Sequence, residues 1–409
     1  MAAQQPTMIA TSAVEIEKAK ENHMRDGAAM SEIASEANPD LLVGEGNKTR
    51  WEQPDRRRHG WHNLYRLARY STSYRAGRVM RLRKHMDLRI AEMEAVRRLT
   101  LLPWFSAMVV VRGNDVLFER YAPDFGPDCP HSIQSISKTM INLIIGRLLE
   151  DGKIDLERKV ADYLPWIGSG YAGATVQQVL NMDVANDYSE DYADPYSTVY
   201  AHSEAYGWRL PADPGHEHSQ RSFLATITSR DTTNRTGGAD YKSANTDVLG
   251  MIAEAVSGRS LRTYLADIAD AAGIEGCLHM TTDREGFPLM SGGICFTARD
   301  LARYGSLFVR QGRGIDGQQI GSASFIEGSL RGGIRLPAPR DGLRYSNHTF
   351  TDGRWLGHGG SRGQFMLADL TSGVVAAFFS VLEVNETFTS DYNVSVIKML
   401  TDIGRIEKA

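Results

Sequence analysis

The stretch Trp355–Leu370, WLGHGGSRGQFMLADL, decides which kind of fold this chain can adopt. Within it, Gly359-Gly360-Ser361-Arg362-Gly363 fits the nucleophile-elbow pattern G-x-S-x-G. An elbow needs a strand before the serine, a helix after it, and then an acid and a histidine further along. Here Gln364–Leu370 is followed by Thr-Ser-Gly and the apolar run Val374–Val381, a pattern that predicts two strands around a turn. No histidine follows His358, so the order serine, acid, histidine cannot be completed. The elbow fails, and the segment needs another role.

Composition narrows the options. The 409 residues can hold one large domain or two, and a hydrophobic content of 42% suits a substantial core. A formal net charge of −4 argues against a protein built to hold nucleic acid. No apolar run approaches the length of a membrane span. The N-terminus, MAAQQPTMIATSAVEIEKAKENHM, lacks a basic and an apolar signal region, so a cytoplasmic location is expected. Cys129, Cys277 and Cys295 are odd in number with no close spacing, which argues against a disulfide framework and a structural zinc site. His216-Glu217-His218 does not have the spacing of a zinc protease. No phosphate-binding glycine loop occurs either, so no metal and no cofactor is expected.

Residues 1–55 form a polar arm, and 56–104 a basic helical segment. From Arg56 to Arg98 there are 13 Arg/Lys against three acids, Asp87, Glu92 and Glu94. Outside that segment the chain holds 33 basic and 47 acidic residues, so the segment is expected to lie on an acidic body. The competing role is a surface for nucleic acid or anionic lipid. Residues 105–409 form the main domain. AMVVVRGNDVLFERYA, Ala107–Ala122, predicts a hairpin, and KTMINLIIGRLLE, Lys138–Glu150, predicts a buried helix stopped near Gly152. Helical patterns recur at Thr175–Met182, Thr246–Val256, Leu261–Ala272, Thr297–Gln311 and Val394–Ile403. Strand signals lie near both ends of this domain. An α+β fold follows: an antiparallel sheet built from both chain ends, flanked by helices, with a mostly helical insert over about 155–290.

Three constellations carry chemistry. In HSIQSISKTM, Ser135 and Lys138 form S-x-x-K directly before the buried helix. Helical residues three apart share a face, so the amine can lie beside the hydroxyl. A desolvated lysine can serve as the base that a serine nucleophile requires. Roughly two such spacings arise by chance in a chain of this length, so position before a buried helix gives this one its weight. In ADYKSANTDVLGM, Tyr241 and Ser243 sit on the loop leading to a helix near Thr246, where a phenol can relay a proton. An isolated tyrosine there is more often simply packed. In GHGGSRGQF, the glycines allow a substrate to lie against the backbone, and the Ser361 N–H could join that of Ser135 as oxyanion donor.

With these three in order, the chain from about Met108 to Met399 resembles the serine β-lactamase and penicillin-binding-protein-like hydrolases. It is similar to class C β-lactamases, to related carboxylesterases and, through DYADPYSTV, to the 6-aminohexanoate-dimer hydrolases. The resemblance implies a β-lactamase/transpeptidase-like fold, with Ser135 as acylated nucleophile, Lys138 as its base and Tyr241 as proton relay. The family leaves open whether lysine or tyrosine is the base. It also implies substrate contacts at His358, Gly359, Gly360, Ser243 and Tyr192. Two departures stand out. Ser243 replaces the usual asparagine, and His358-Gly359-Gly360 replaces Lys-Thr-Gly, removing an ammonium that pairs with substrate carboxylates.

The expected function is a serine amidase or carboxylesterase acting on small amides or esters. The alternatives are an acyltransferase using the same acyl-serine and a non-catalytic scaffold on this fold. No nucleic acid or membrane partner is expected, and a homodimer is allowed. Asp183–Trp208 holds six acids, no Lys or Arg, and six interleaved Tyr or Trp residues, a composition that favours cationic substrates.

Overall fold

The apolar run Val374–Ser380, buried at every residue, lies inside a nine-stranded sheet. The strands in chain order are β1 (Ser71–Tyr74), β2 (Arg83–Lys84), β3 (Phe105–Arg112), β4 (Asp115–Tyr121), β5 (His131–Ser132), β6 (Leu278–Thr281) and β7 (Ile294–Phe296). They continue as β8 (Ile334–Arg335), β9 (Arg344–Ser346), β10 (Thr349–Thr351), β11 (Trp355–Gly360), β12 (Gln364–Asp369) and β13 (Val374–Ser380). The large sheet has the order β2-β4-β3-β13-β12-β11-β10-β9-β8. It is antiparallel except where β2 pairs β4. The computed structural model describes residues 50–213, 215–383 and 391–406. Most of the expected polar arm therefore lies outside the described residues.

The two chain ends meet where β13 pairs β3, with Phe378 opposite Met108 and Ala376 opposite Val110. Side chains on β13 alternate between two cores, as a period of two requires. Val375, Ala377 and Phe379 face the core shared with helix Ala298–Val309. Val374, Ala376 and Phe378 face Val396, Met399 and Leu400 of helix Asp391–Gly404. The first helix comes unusually close. A side chain at Gly305 would meet Val375 Cγ1 at 2.5 Å, so only glycine permits that approach.

A second sheet, β1-β6-β7-β5, lies at the site and is built from strands of two to four residues. β5 leads into the segment holding Ser135, and β7 follows the loop holding Ser291. The helix before Glu150 starts at Met140, and residues 134–139 form a 3-10 turn instead of its first turn. Gly152 ends the helix region with φ +67°.

The basic segment is only partly helical. It contains helix Arg57–Leu67, β1, β2 and the short helices Leu88–Glu92 and Glu94–Leu99. Its charges meet acids of the main body: Arg58 with Asp124, Arg69 with Glu217, Arg83 with Asp115 and Lys84 with Glu119. Among the described residues, no helix is long and apolar enough to cross a membrane.

Candidate active site

Ser135 lies in the 3-10 turn Gln134–Thr139 and is 8% exposed. In such a helix residues i and i+3 eclipse, so Lys138 stands over Ser135 more closely than an α-helix would allow. Gln134 has φ 49°, a left-handed conformation that a glutamine adopts only when held. Its Nε2 donates to Ser132 Oγ at 2.7 Å. The end of β11 presses on the same backbone. A side chain at Gly360 would lie 2.4 Å from the Ile133 carbonyl oxygen, so glycine is required there.

Lys138 is fully buried, and its ammonium donates three hydrogen bonds. The acceptors are Ser135 Oγ at 3.1 Å, Ser243 Oγ at 3.0 Å and the Ser291 carbonyl at 2.5 Å. Burial draws its pKa down from 10.5 to about 8, against the pull of the Glu190 and Asp247 carboxylates. A usable fraction is therefore neutral near neutral pH.

Tyr241 places its ring centroid 5.1 Å from Lys138 Nζ. Burial, reinforced by Glu190, holds its phenol well above the ordinary range, while the nearby Ser135 and Arg340 oppose the rise. The group is therefore a protonated phenol, suited to giving a proton and unsuited to taking one first. Its hydroxyl makes no hydrogen bond of acceptable geometry among the described residues, the Ser135 hydroxyl included. Such contacts often tighten only with substrate bound.

Ser243 is the first residue of helix Ser243–Ser257, three residues earlier than the sequence pattern indicates. The helix starts there because a distant carboxylate caps it. Glu190 Oε2 accepts from the Ser243 N–H at 2.6 Å, and Oε1 accepts from its hydroxyl at 2.9 Å. A carboxylate at a helix N-terminus satisfies an orphan donor and opposes the dipole. The hydroxyl of Tyr192 also donates to Glu190, at 3.0 Å, while 55% of the residue's surface is exposed. Ser243 thus links Lys138 to one carboxylate, shared with Tyr192, that sequence reasoning did not single out.

His358 lies behind Tyr241, with ring centroids 6.1 Å apart, and is fully buried against Phe350. Its Nδ1–H donates to the Gly359 carbonyl at 2.6 Å. Burial, aided by Lys138, holds its pKa well below 6.5, so it is neutral and offers no substitute for the missing ammonium. Ser361 follows β11 in a turn leading to β12, with no helix after it. Its carbonyl accepts from Trp61 Nε1 at 3.2 Å, so the N-terminal helix braces the turn after β11. Trp61, Glu190 and Ser291 are all parts of the site that the sequence did not reveal. Among the described residues no cluster of His, Cys, Asp or Glu is arranged to hold a metal. Two clefts of about 200 and 350 Å³ lie elsewhere and contain none of the reacting groups.

The fold, with a serine on a 3-10 turn beside a buried lysine and a tyrosine before a second helix, is of the β-lactamase/transpeptidase type. The profile of the Beta-lactamase family matches residues 106–394, and the chain belongs to that family. The 6-aminohexanoate-dimer hydrolase of Paenarthrobacter ureafaciens is 36% identical over 266 residues. That match spans 63% of this chain and 65% of the relative's length. A Bacillus anthracis structure named as a candidate 6-aminohexanoate-dimer hydrolase superposes with a TM-score of 0.75 at 22% identity, covering 88% of this chain and 97% of that one. A D-stereospecific amidohydrolase from a Streptomyces species superposes with a TM-score of 0.54 at 17% identity, covering 75% and 96%.

Proposed function

We propose that the protein hydrolyses amide or ester bonds of small molecules in the cytoplasm through an acyl-enzyme on Ser135. One observation carries this: Lys138 Nζ stands 3.1 Å from Ser135 Oγ in a fully buried position, with its pKa lowered to about 8. Neutral Lys138 takes the serine proton as Oγ attacks the carbonyl carbon. The N–H groups of Ser135 and Ser361 receive the oxyanion. Tyr241 gives its proton to the leaving amine or alkoxide and regains one from the Lys138 ammonium. Water then attacks the acyl carbon, the proton path runs in reverse, and Ser135 is released. The relative's name, a 6-aminohexanoate-dimer hydrolase, supports a hydrolytic role for this constellation.

The acidic stretch 183–208 bears on the substrate less directly than its composition suggests. Glu190, the acid tied to Lys138 through Ser243, already accepts from Ser243 and Tyr192. Asp187 accepts from the Thr228 N–H, and Glu204 from the Ala212 N–H. Glu190, with three hydrogen bonds on its roughly four acceptor sites, attracts an ammonium at a distance more than it contacts one. Cationic amides are therefore favoured over neutral isosteres by less than about tenfold. The function is tested with matched linear amides and p-nitrophenyl esters. Turnover that disappears in Ser135→Ala supports it, and turnover retained by that variant overturns it.

A further inference from the structure

Behind Lys138 runs a chain of buried polar groups that the acylation steps do not use. The carbonyl accepting from Lys138 Nζ belongs to Ser291, whose own hydroxyl donates to Asp247 Oδ2 at 3.0 Å. Asp247 lies one turn beyond Ser243 on the same helix and is fully buried. Its Oδ2 is 3.3 Å from His202 Nε2, an ion-pair separation without hydrogen-bond alignment. His202 is itself fully buried, stacked on Phe223 at 4.7 Å, with Nδ1 3.1 Å from the Tyr188 hydroxyl. Removing a carboxylate from water is expensive, and a well-packed apolar residue would serve stability as well or better. Its position next to the base suggests a different reason for its presence.

We propose that Asp247, held between Ser291 and His202, is a positioning residue for Lys138: it fixes the Ser291 carbonyl against the ammonium and sets a negative charge behind it. The inference rests on Ser135 being the acylated nucleophile. The groups facing Lys138 are the carboxylates of Glu190 and Asp247, the Tyr241 ring, and the neutral His348 and His358. Those facing Asp247 are His202, Ser291, Tyr171 and Lys138. Both carboxylates support the Lys138 ammonium against burial. Without the charge of Asp247, the neutral amine appears at lower pH. Without its anchor, the Ser291 carbonyl is free to shift and the amine is aimed less well.

The test is the rate at which a fluorophosphonate modifies Ser135 in the full-length protein, followed across the pH range. Wild type should show a midpoint at about 8. Asp247→Asn should move that midpoint down by about one unit, with a plateau several-fold lower. Ser291→Ala removes only the linking hydroxyl, and should lower the plateau about tenfold with little change in midpoint. A purely structural role would lower the reactive fraction and leave the midpoint in place. An unmoved midpoint in folded Asp247→Asn, or a wild-type plateau in Ser291→Ala, overturns the inference. If Asp247→Asn does not fold by circular dichroism, Ser291→Ala decides alone through its plateau rate constant, which a smaller reactive fraction leaves unchanged. Absence of any labelling in wild type overturns the acyl-enzyme proposal, and this inference with it.

Discussion

Lys138→Met should separate what the site needs from what the fold needs. In the native state burial lowers the lysine pKa from 10.5 to about 8. The folded pKa is below the unfolded one, so between those values the unfolded chain binds more protons. Unfolding free energy must therefore rise with pH across this window, by up to about 1.4 kcal/mol per unit. The full shift corresponds to about 3 kcal/mol, which the folded protein forgoes at pH 7, where the buried amine is mostly charged. Methionine keeps the unbranched stem and removes the charge. It also leaves Ser243 Oγ and the Ser291 carbonyl without their donor, each worth about 1 kcal/mol. The variant should therefore be inactive yet within about 1–2 kcal/mol of wild type at pH 7, on either side. Urea unfolding of both proteins from pH 7 to 10 measures this. The difference, wild type minus variant, should grow in favour of wild type by about 2.5 kcal/mol between pH 7 and 10, because that window stops short of the unfolded pKa. A difference that stays flat would show that Lys138 titrates normally, and the argument for it as a base would fall.

The same geometry makes other predictions. Tyr241→Phe should reduce amide turnover by about 10²–10⁴-fold, and should reduce p-nitrophenyl ester turnover far less, because that leaving group departs without a proton. Equal losses on both substrates would count against Tyr241 as the leaving-group acid. Glu190→Gln removes a carboxylate that raises the Lys138 pKa and the acceptor of Ser243 and Tyr192. The acid limb of kcat/KM should move below pH 8, and a limb moving upward would contradict the charge assignment. Trp61→Phe loses the hydrogen bond to the Ser361 carbonyl and should lower kcat several-fold at nearly constant KM. An unchanged kcat would show that the N-terminal helix does not brace the turn after β11 for catalysis.

Much of the candidate site was legible because it is local. Ser135 and Lys138 are three residues apart before an apolar run, and Tyr241 precedes a helix of clear period. The sheet's assembly from both chain ends was legible in the hairpin patterns of β3–β4 and β12–β13. What escaped acts across the chain. Glu190 caps a helix 53 residues away, so Thr246 looked like the natural start. Ser291 acts through its backbone carbonyl, which has no residue-type signature. The strands of the small sheet are two to four residues long, too short for a period to show. The 3-10 turn was missed because its sequence continues the helical pattern of Met140–Glu150. Asp247 could have been noticed as an acid directly before the apolar run Val248–Ala253 of its helix.

The most direct test of the central claim is peptide mapping after fluorophosphonate treatment of the full-length protein. A single adduct is predicted on the peptide carrying Ser135, absent from Ser135→Ala and greatly slowed in Lys138→Met. An adduct on the peptide carrying Ser361, or labelling that persists in Ser135→Ala, would contradict it.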